Sequence, residues 1–311
     1  MPSNQSPLGA LPSRFRRQRL LIVGCGDIGS RVVSRMPQRV QVLALTSQAS
    51  RVPHLRALGC TPLMGNLDTP SSLRRLAGLA HRVLHLAPPA SDGWSDRRTK
   101  ALVQALRSRG ALHSLVYGST SGVYGDCQGA WIDETRAVAA DTTRAQRRVD
   151  AESHVRFLGR SAGVRASILR IPGIYAPDRP GGTPQVRLSK GTPVLQAEED
   201  VFTNHIHAED LARACLLALW RGAAQRVYNI NDDTQLKMGD YFDLAADLYQ
   251  MPHPPRVSRQ AAQTQLPVTL LSFMSESRRM RNTRMKQELR LALQFPTVAQ
   301  GLVERVQRKR A

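Results

Sequence analysis

Residues 20–29 read LLIVGCGDIG, a short apolar run that breaks into a turn with glycines at 24, 26 and 29. The spacing is G-x-G-x-x-G. The run 20–23 reads as a buried strand, and Ile28, Val32 and Val33 open a helical pattern after the turn. In such a strand–turn–helix the first glycine permits the tight bend and the second lets the backbone approach a pyrophosphate. The third lets the helix pack closely on its strand. The phosphates then meet free N–H groups at the positive end of the helix. The turn therefore predicts a dinucleotide site at Gly24, Gly26, Asp27, Ile28 and Gly29.

Beyond the turn, strand and helix alternate along the chain. Strands are expected at 40–45, 61–64, 82–87, 114–117, 165–171 and 226–230. Helices are expected at 50–58, 142–160, 209–221 and 236–249, and Thr69 with Pro70 makes a further helix start. Strands separated by helices imply right-handed crossovers and a parallel sheet, an α/β doubly wound fold. Ligands on such sheets bind at the carboxyl ends of the strands. Those ends hold Gly24, Thr46, Asn66, Ala87, Ser119 and Ile171. Residues 251–276, rich in Pro, Gln and Ser, read as an irregular connection. Residues 1–19 carry Ser, Pro and Arg but no acid, and read as a disordered basic extension. The same composition can mark a transit peptide.

The chain has 311 residues, 41% of them apolar, enough for a large core. No run approaches the roughly 18 apolar residues of a membrane span. Cys25, Cys60, Cys127 and Cys215 form no C-x-x-C pair, so neither a disulfide framework nor a zinc site is expected, and a reducing cytoplasm fits. The net charge is +20, with local density at 14–19, 278–286 and 305–310. No zinc-finger, recognition-helix or RNP-like signature accompanies it. The charge reads as a solvated basic surface rather than a specific nucleic-acid site.

A site for NAD usually carries Asp or Glu at the end of the second strand, about 20 residues after the glycines. Here that position reads Leu45-Thr46-Ser47-Gln48, no acid is near, and Arg51 follows. Hydroxyls plus an arginine favour the extra 2′-phosphate, so NADP is expected over NAD, with Thr46, Ser47 and Arg51 as its contacts.

Several blocks then carry a resemblance. LVYGSTSGVYGD (115–126), ILRIPGIYAPDR (168–179), NHIHAEDLARA (204–214) and VYNINDD (227–233) resemble the successive blocks of extended short-chain dehydrogenases, the group that includes nucleotide-sugar epimerases and dehydratases. The tail 277–302, an asparagine, a helix and then Phe-Pro-Thr, is similar too. The resemblance covers nearly everything from residue 20 onward. It implies a Rossmann domain over 20–172 with 205–230, and a smaller carboxy-terminal domain over 173–204 with 231–311 that covers the substrate. It further implies that Asn66, Leu67, Leu86, Ala87, Pro88, Ser119, Pro172 and Ile174 flank the cofactor. Related enzymes often pair through the helix at 142–160, so a homodimer is among the implied assemblies.

The departures bear on chemistry. Extended members use a Ser/Thr, a Tyr and a Lys, the last two spaced Y-x-x-x-K. Thr120 falls at the Ser/Thr position. Registering TTRAQRRVDAE (142–152) on Ala151 and Glu152 puts Arg144 at the Tyr position and Arg148 at the Lys position. This pattern resembles the atypical short-chain dehydrogenases, which keep the fold and the glycine motif but lose the pair. Arginine holds its proton above about pH 12 and cannot serve as a base near neutrality. Four apart on a helix, Arg144 and Arg148 share a face. Facing the cleft, they suit a carboxylate or phosphate. The alternative puts both on the solvent face beside Arg147.

Tyr124 and Tyr175 follow strands and are candidate replacements for the missing tyrosine, or buried aromatics with bonded hydroxyls. His205 and His207 precede Glu209 and Asp210. The matching block uses a histidine there for packing and hydrogen bonding, and no metal is expected. Three functions stay open. The first is an NADP-dependent oxidoreductase, epimerase or dehydratase acting on a small polar or anionic substrate. The second is a non-catalytic NADP-binding sensor or scaffold. The third is a basic nucleic-acid-associated protein.

Overall fold

The structure, a computed structural model, describes residues 17–108, 110 and 112–303. Residues 1–16 of the expected extension and the basic run 305–310 lie outside the described residues. Gln18 and Arg19, expected in that extension, belong instead to the first strand, because they continue its pairing with the second strand.

In chain order the strands are β1 (Gln18–Val23), β2 (Val40–Thr46), β3 (Thr61–Met64), β4 (Arg82–His85), β5 (Ser114–Thr120), β6 (Trp131–Ile132) and β7 (Arg165–Ile171). They continue with β8 (Gly173–Tyr175), β9 (Val194–Leu195), β10 (His205–His207), β11 (Arg226–Asn229), β12 (Arg256–Val257) and β13 (Arg279–Met280). Seven of them form one sheet in the order β11-β7-β5-β4-β1-β2-β3. Every pairing in it is parallel. The order reverses between β1 and β4, which is where a doubly wound sheet opens its crevice.

The sheet buries both faces, and its strands alternate accordingly. Leu20 and Ile22 pack on one side with helices Asp27–Ser34 and Ala208–Arg221. Leu21 and Val23 pack on the other with helices Arg97–Arg107 and Thr143–Ala162. A third apolar cluster gathers Tyr175, Leu188, Val194, Met238, Tyr241 and Phe242 around helix Met238–Tyr249.

The expected strands 61–64 and 165–171 have the observed bounds. Helix Arg97–Arg107 had no expected counterpart. Asp96 starts it, its carboxylate accepting from the backbone of Arg98 and Thr99 at 3.0 and 3.1 Å. The connection 251–276 is not irregular throughout, since it contains helices Arg259–Gln265 and Val268–Met274, the first capped by Ser258. Thr69 makes no side-chain cap, and the segment after it, Pro70–Leu76, is a 3-10 helix. Among the described residues no helix is long and apolar enough to cross a membrane.

A buried ion pair joins the longest helix to the sheet. Glu152 on the long helix receives Arg170 of β7 through Nε at 3.1 Å and Nη2 at 2.8 Å. Both side chains are 4% exposed. The Ser119 hydroxyl of β5 donates to the same carboxylate at 2.7 Å. Breaking a buried pair strands the surviving charge, at a cost of about 3–5 kcal/mol. Glu152→Ala should lower the unfolding free energy by that amount in urea titrations. The double variant Glu152→Leu with Arg170→Met should recover most of the loss, because neither charge is left unpaired.

Candidate functional site

Two clefts open beyond the carboxyl ends of the sheet strands and meet at Pro88, which lines both. The first, of about 450 Å³, is lined by the glycine turn, the ends of β2 and β3 and the segment after β4.

Gly24 has a φ of +88°, and a Cβ there would come within 2.7 Å of the Ala87 Cα. Only glycine fits that conformation without strain. Nothing lies within 4 Å of where a Gly26 Cβ would sit, so the turn is open on that side. A Cβ on Gly29 would lie 3.4 Å from the Gly24 carbonyl, which is the close helix-to-turn packing expected of the third glycine. Helix Asp27–Ser34 has no side-chain cap, which leaves its first N–H groups directed out of the turn. These features fit a pyrophosphate.

The end of β2 presents Thr46, Ser47 and Gln48 to the cleft. Arg51 reaches back across it and donates to the Cys25 carbonyl at 2.8 Å. Asn66, Leu67, Leu86, Ala87 and Pro88 line the same cleft. So does Asp68, which Arg98 holds through two bonds of 2.7 and 2.6 Å. Those bonds lower the Asp68 carboxyl below its ordinary range.

Four residues of the expected cofactor set do not line either cleft. Asp27 turns to Arg31 and Arg179. Ile28 is in the core, and Gly29 packs under the turn. Ser119 points inward to Glu152, because its neighbour Thr120 takes the outward position on the strand.

The second cleft, of about 770 Å³, lies between the sheet edge and the third apolar cluster. Thr120, Pro172 and Ile174 line it, and so do Arg144 and Arg148. The two arginines therefore face the cleft rather than solvent alone. Arg148 donates to the Tyr117 hydroxyl at 3.0 Å and the Gly118 carbonyl at 2.8 Å. The Arg144 guanidinium lies 4.8 Å from the Phe273 ring centre. The Thr120 Oγ1 accepts only a long bond from the Gly122 backbone, 3.3 Å.

Of the two readings of Tyr124, the structure shows the buried aromatic rather than the replacement for the missing tyrosine. It is fully buried, donates to Asn229 Oδ1 at 2.7 Å, and has Arg170 4.6 Å from its ring centre. The turn Ser121–Tyr124 points it into the core, away from the cleft. Tyr175 does line the cleft, but its hydroxyl donates to the Thr297 carbonyl at 3.3 Å.

Sequence reasoning did not assign Arg179, Arg187, Glu276 and Arg278, which all line this cleft. Glu276 ends the stretch read as an irregular connection, Arg187 lies where no element was expected, and Arg179 and Arg278 stand at the edges of the blocks 168–179 and 277–302, where no periodicity marks a facing side. Arg278 ties the tail to the Thr120 turn, donating to Glu276 at 2.7 Å and to the Gly125 carbonyl at 2.9 Å. Among the described lining residues six arginines face one carboxylate, Glu276.

His205 and His207 flank the apolar cluster. Burial pushes each imidazole down to about 4. The His205 ring stacks on Tyr241 and its Nε2 sits 2.9 Å from Thr203 Oγ1. His207 Nδ1 accepts from the Glu209 backbone and so starts helix Ala208–Arg221. Among the described residues no group of His, Cys, Asp and Glu is arranged to hold a metal.

Residues 20–231 match the model of the NAD dependent epimerase/dehydratase family. No curated protein sequence matches the chain. Among solved structures, a conserved protein of unknown function from Silicibacter pomeroyi DSS is 29% identical, with a TM-score of 0.76 over 92% of this chain and 96% of that one. UDP-glucose 4-epimerase from Thermotoga maritima, solved with UDP-glucose, is 19% identical with a TM-score of 0.75 over 92% and 96%. UDP-glucuronic acid 4-epimerase from Bacillus cereus, solved with NAD, is 15% identical with a TM-score of 0.73 over the same shares.

The buried imidazoles set an acid limit. Unfolded histidines protonate near pH 6.5, while His205 and His207 in the fold wait until about 4, and burial and then the Arg148 charge hold His85 to about 3. Their contribution is complete above pH 6.5 and drains as pH falls toward 4. Asp232 works the other way, since burial pushes its carboxyl up to about 7. Three histidines outweigh it. The unfolding free energy should fall by about 1–3 kcal/mol per pH unit around pH 5, read from urea midpoints between pH 7 and pH 4.5.

Proposed function

The chain belongs to the NAD dependent epimerase/dehydratase family, and we propose that it uses NADP to act as an oxidoreductase or epimerase on a small anionic substrate. Nucleotide sugars, named with two of its structural neighbours, fall within that class. The observation that carries the reading is the continuity of two unlike clefts. One has a glycine turn, hydroxyls and Arg51 and suits a phosphorylated dinucleotide. The other begins at the shared Pro88 and is walled by arginine.

Arg51 is the residue for the 2′-phosphate. It follows a strand end without an acid, and its bond to the Cys25 carbonyl holds it over the cleft. In the family register Arg144 and Arg148 stand where relatives carry Tyr and Lys. Neither gives up a proton near neutrality, so their role is to hold negative charge on the substrate. Bound NADP supplies hydride chemistry. Thr120 offers a hydroxyl to orient the substrate, and Glu276 is the carboxylate whose chemistry suits a proton acceptor. Exposed Phe157, with Arg107 4.7 Å from its ring centre, supports pairing of two copies through helix Thr143–Ala162.

A second reading, a non-catalytic NADP sensor, is favoured by the burial of Tyr124, which takes its phenol out of the cleft that Thr120 lines. Turnover separates the two. Loss of NADPH absorbance with an oxo-acid, or conversion of a UDP-sugar to its epimer by the protein loaded with NADP⁺, supports an enzyme. NADPH binding with neither change across the panel supports a sensor.

Two variants test the assignments. Arg51→Ala removes a charge-assisted contact worth about 1.5–3 kcal/mol. It should weaken NADPH about 10- to 100-fold and leave NADH unchanged in calorimetric titrations. Arg144→Ala should spare NADPH affinity and raise KM for the anionic substrate. An unchanged KM removes Arg144 from substrate binding.

A further inference from the structure

Of the six arginines among the described residues of the larger cleft, four are satisfied by the chain itself and a fifth by solvent. Arg147 donates to the Ser91 and Gly93 carbonyls. Arg148 is held by Tyr117 and Gly118, Arg179 by Ile174 and Asp27, and Arg278 by Glu276. Arg144 lies exposed over Phe273, where solvent can reach its N–H groups.

Arg187 is different. Its Nε and Nη2 are shielded from solvent and have no hydrogen-bond partner among the described residues. No carboxylate among them pairs with it either. The guanidinium lies flat against Phe242, 4.3 Å from the ring centre, on one wall of the cleft. Burial lowers its pKa from the ordinary arginine value, with only Tyr241 acting the other way. Stacking occupies one face of the plane and leaves both unmet N–H groups on one edge of it, an edge closed to water until the side chain turns it toward the cleft.

A buried, charged donor without an acceptor is a cost to the fold, and a folded chain keeps such a cost where function uses it. A planar fork with two adjacent unmet N–H groups matches the two oxygens of a carboxylate or phosphate. Resting on the reading of this cleft as the substrate site, we propose that Arg187 is an anion-binding residue that receives a carboxylate or phosphate of the substrate. Phe242 holds the guanidinium plane, and the lack of an internal acid leaves its charge available to the ligand. Carboxylate and phosphate share this chemistry, and two probes separate them.

The test uses the full chain saturated with NADPH, which keeps the 2′-phosphate position filled. It is titrated calorimetrically with inorganic phosphate and, separately, with succinate. Arg187→Met should weaken the preferred probe about tenfold or more, with the thermal midpoint of the ligand-free protein unchanged or raised, because an unpaired buried charge has been removed. Arg187→Lys keeps the charge but not the fork, and should bind between the two. If Arg187→Met fails to fold, Arg187→Lys decides the matter, a weakened probe supporting the proposal and wild-type affinity overturning it. Wild-type affinity in Arg187→Met, or no binding of either probe to the unmodified protein, also overturns it. If NADPH does not bind at all, the NADP-dependent function fails, and the same titration without nucleotide still decides the role of Arg187.

Discussion

The buried pair of Glu152 and Arg170 fixes how the longest helix lies on the sheet. Glu152 can reach Arg170 and Ser119 only if one face of helix Thr143–Ala162 turns toward the carboxyl ends of β5 and β7. Arg148 and Arg144 lie four and eight residues earlier on that face. The anchor therefore aims them at the second cleft. Arg170 also covers the Tyr124 ring, so the same contact that presents two arginines withdraws a tyrosine. One interaction thus accounts for two features of the site, the arginines that the helix presents and the burial of Tyr124.

Much of this was legible in the residues. The glycine turn could be read because Gly24 has a conformation that other residues adopt only with strain, and sequence records that constraint directly. Strands buried on both faces announce themselves as apolar runs, which is why 165–171 was bounded correctly; 61–64 was bounded as well, although it is a partly exposed edge strand. The shared face of Arg144 and Arg148 followed from helical spacing. Ser119 was misplaced, and of the two readings of Tyr124 the buried aromatic with a bonded hydroxyl holds. Such a run does not say which of two adjacent residues faces the cleft, and the short turn after β5 rotates Tyr124 inward. Helix Arg97–Arg107 opens with two arginines, and its cap, Asp96, stands in a run of mixed charge that hides it. Arg187 was out of reach, since its significance lies in partners it lacks, and a sequence does not show those.

The charge of the chain takes on a different meaning at the site. A net +20 spread along a sequence says little about function. At the second cleft it becomes six arginines against one carboxylate, in a cavity whose walls are partly apolar. Ion pairing strengthens as water is excluded, so this concentration selects for negative charge more strongly than the surface does. In the first cleft Asp68, the one acid among the described lining residues, is matched by Arg98, and Arg51 is the residue proposed for a phosphate. Both clefts therefore favour anions, one through a backbone turn and one through side chains.

The roles given to both clefts rest on the fold holding a phosphorylated nicotinamide dinucleotide. A calorimetric titration of the unmodified protein with NADPH, NADP⁺, NADH and NAD⁺ tests this most directly. Saturable binding of the phosphorylated pair is expected, at least about tenfold tighter than the other two, the worth of one charge-assisted contact at Arg51. Equal or tighter binding of NADH would contradict the role given to Arg51, and no binding of any form would contradict the dinucleotide site itself.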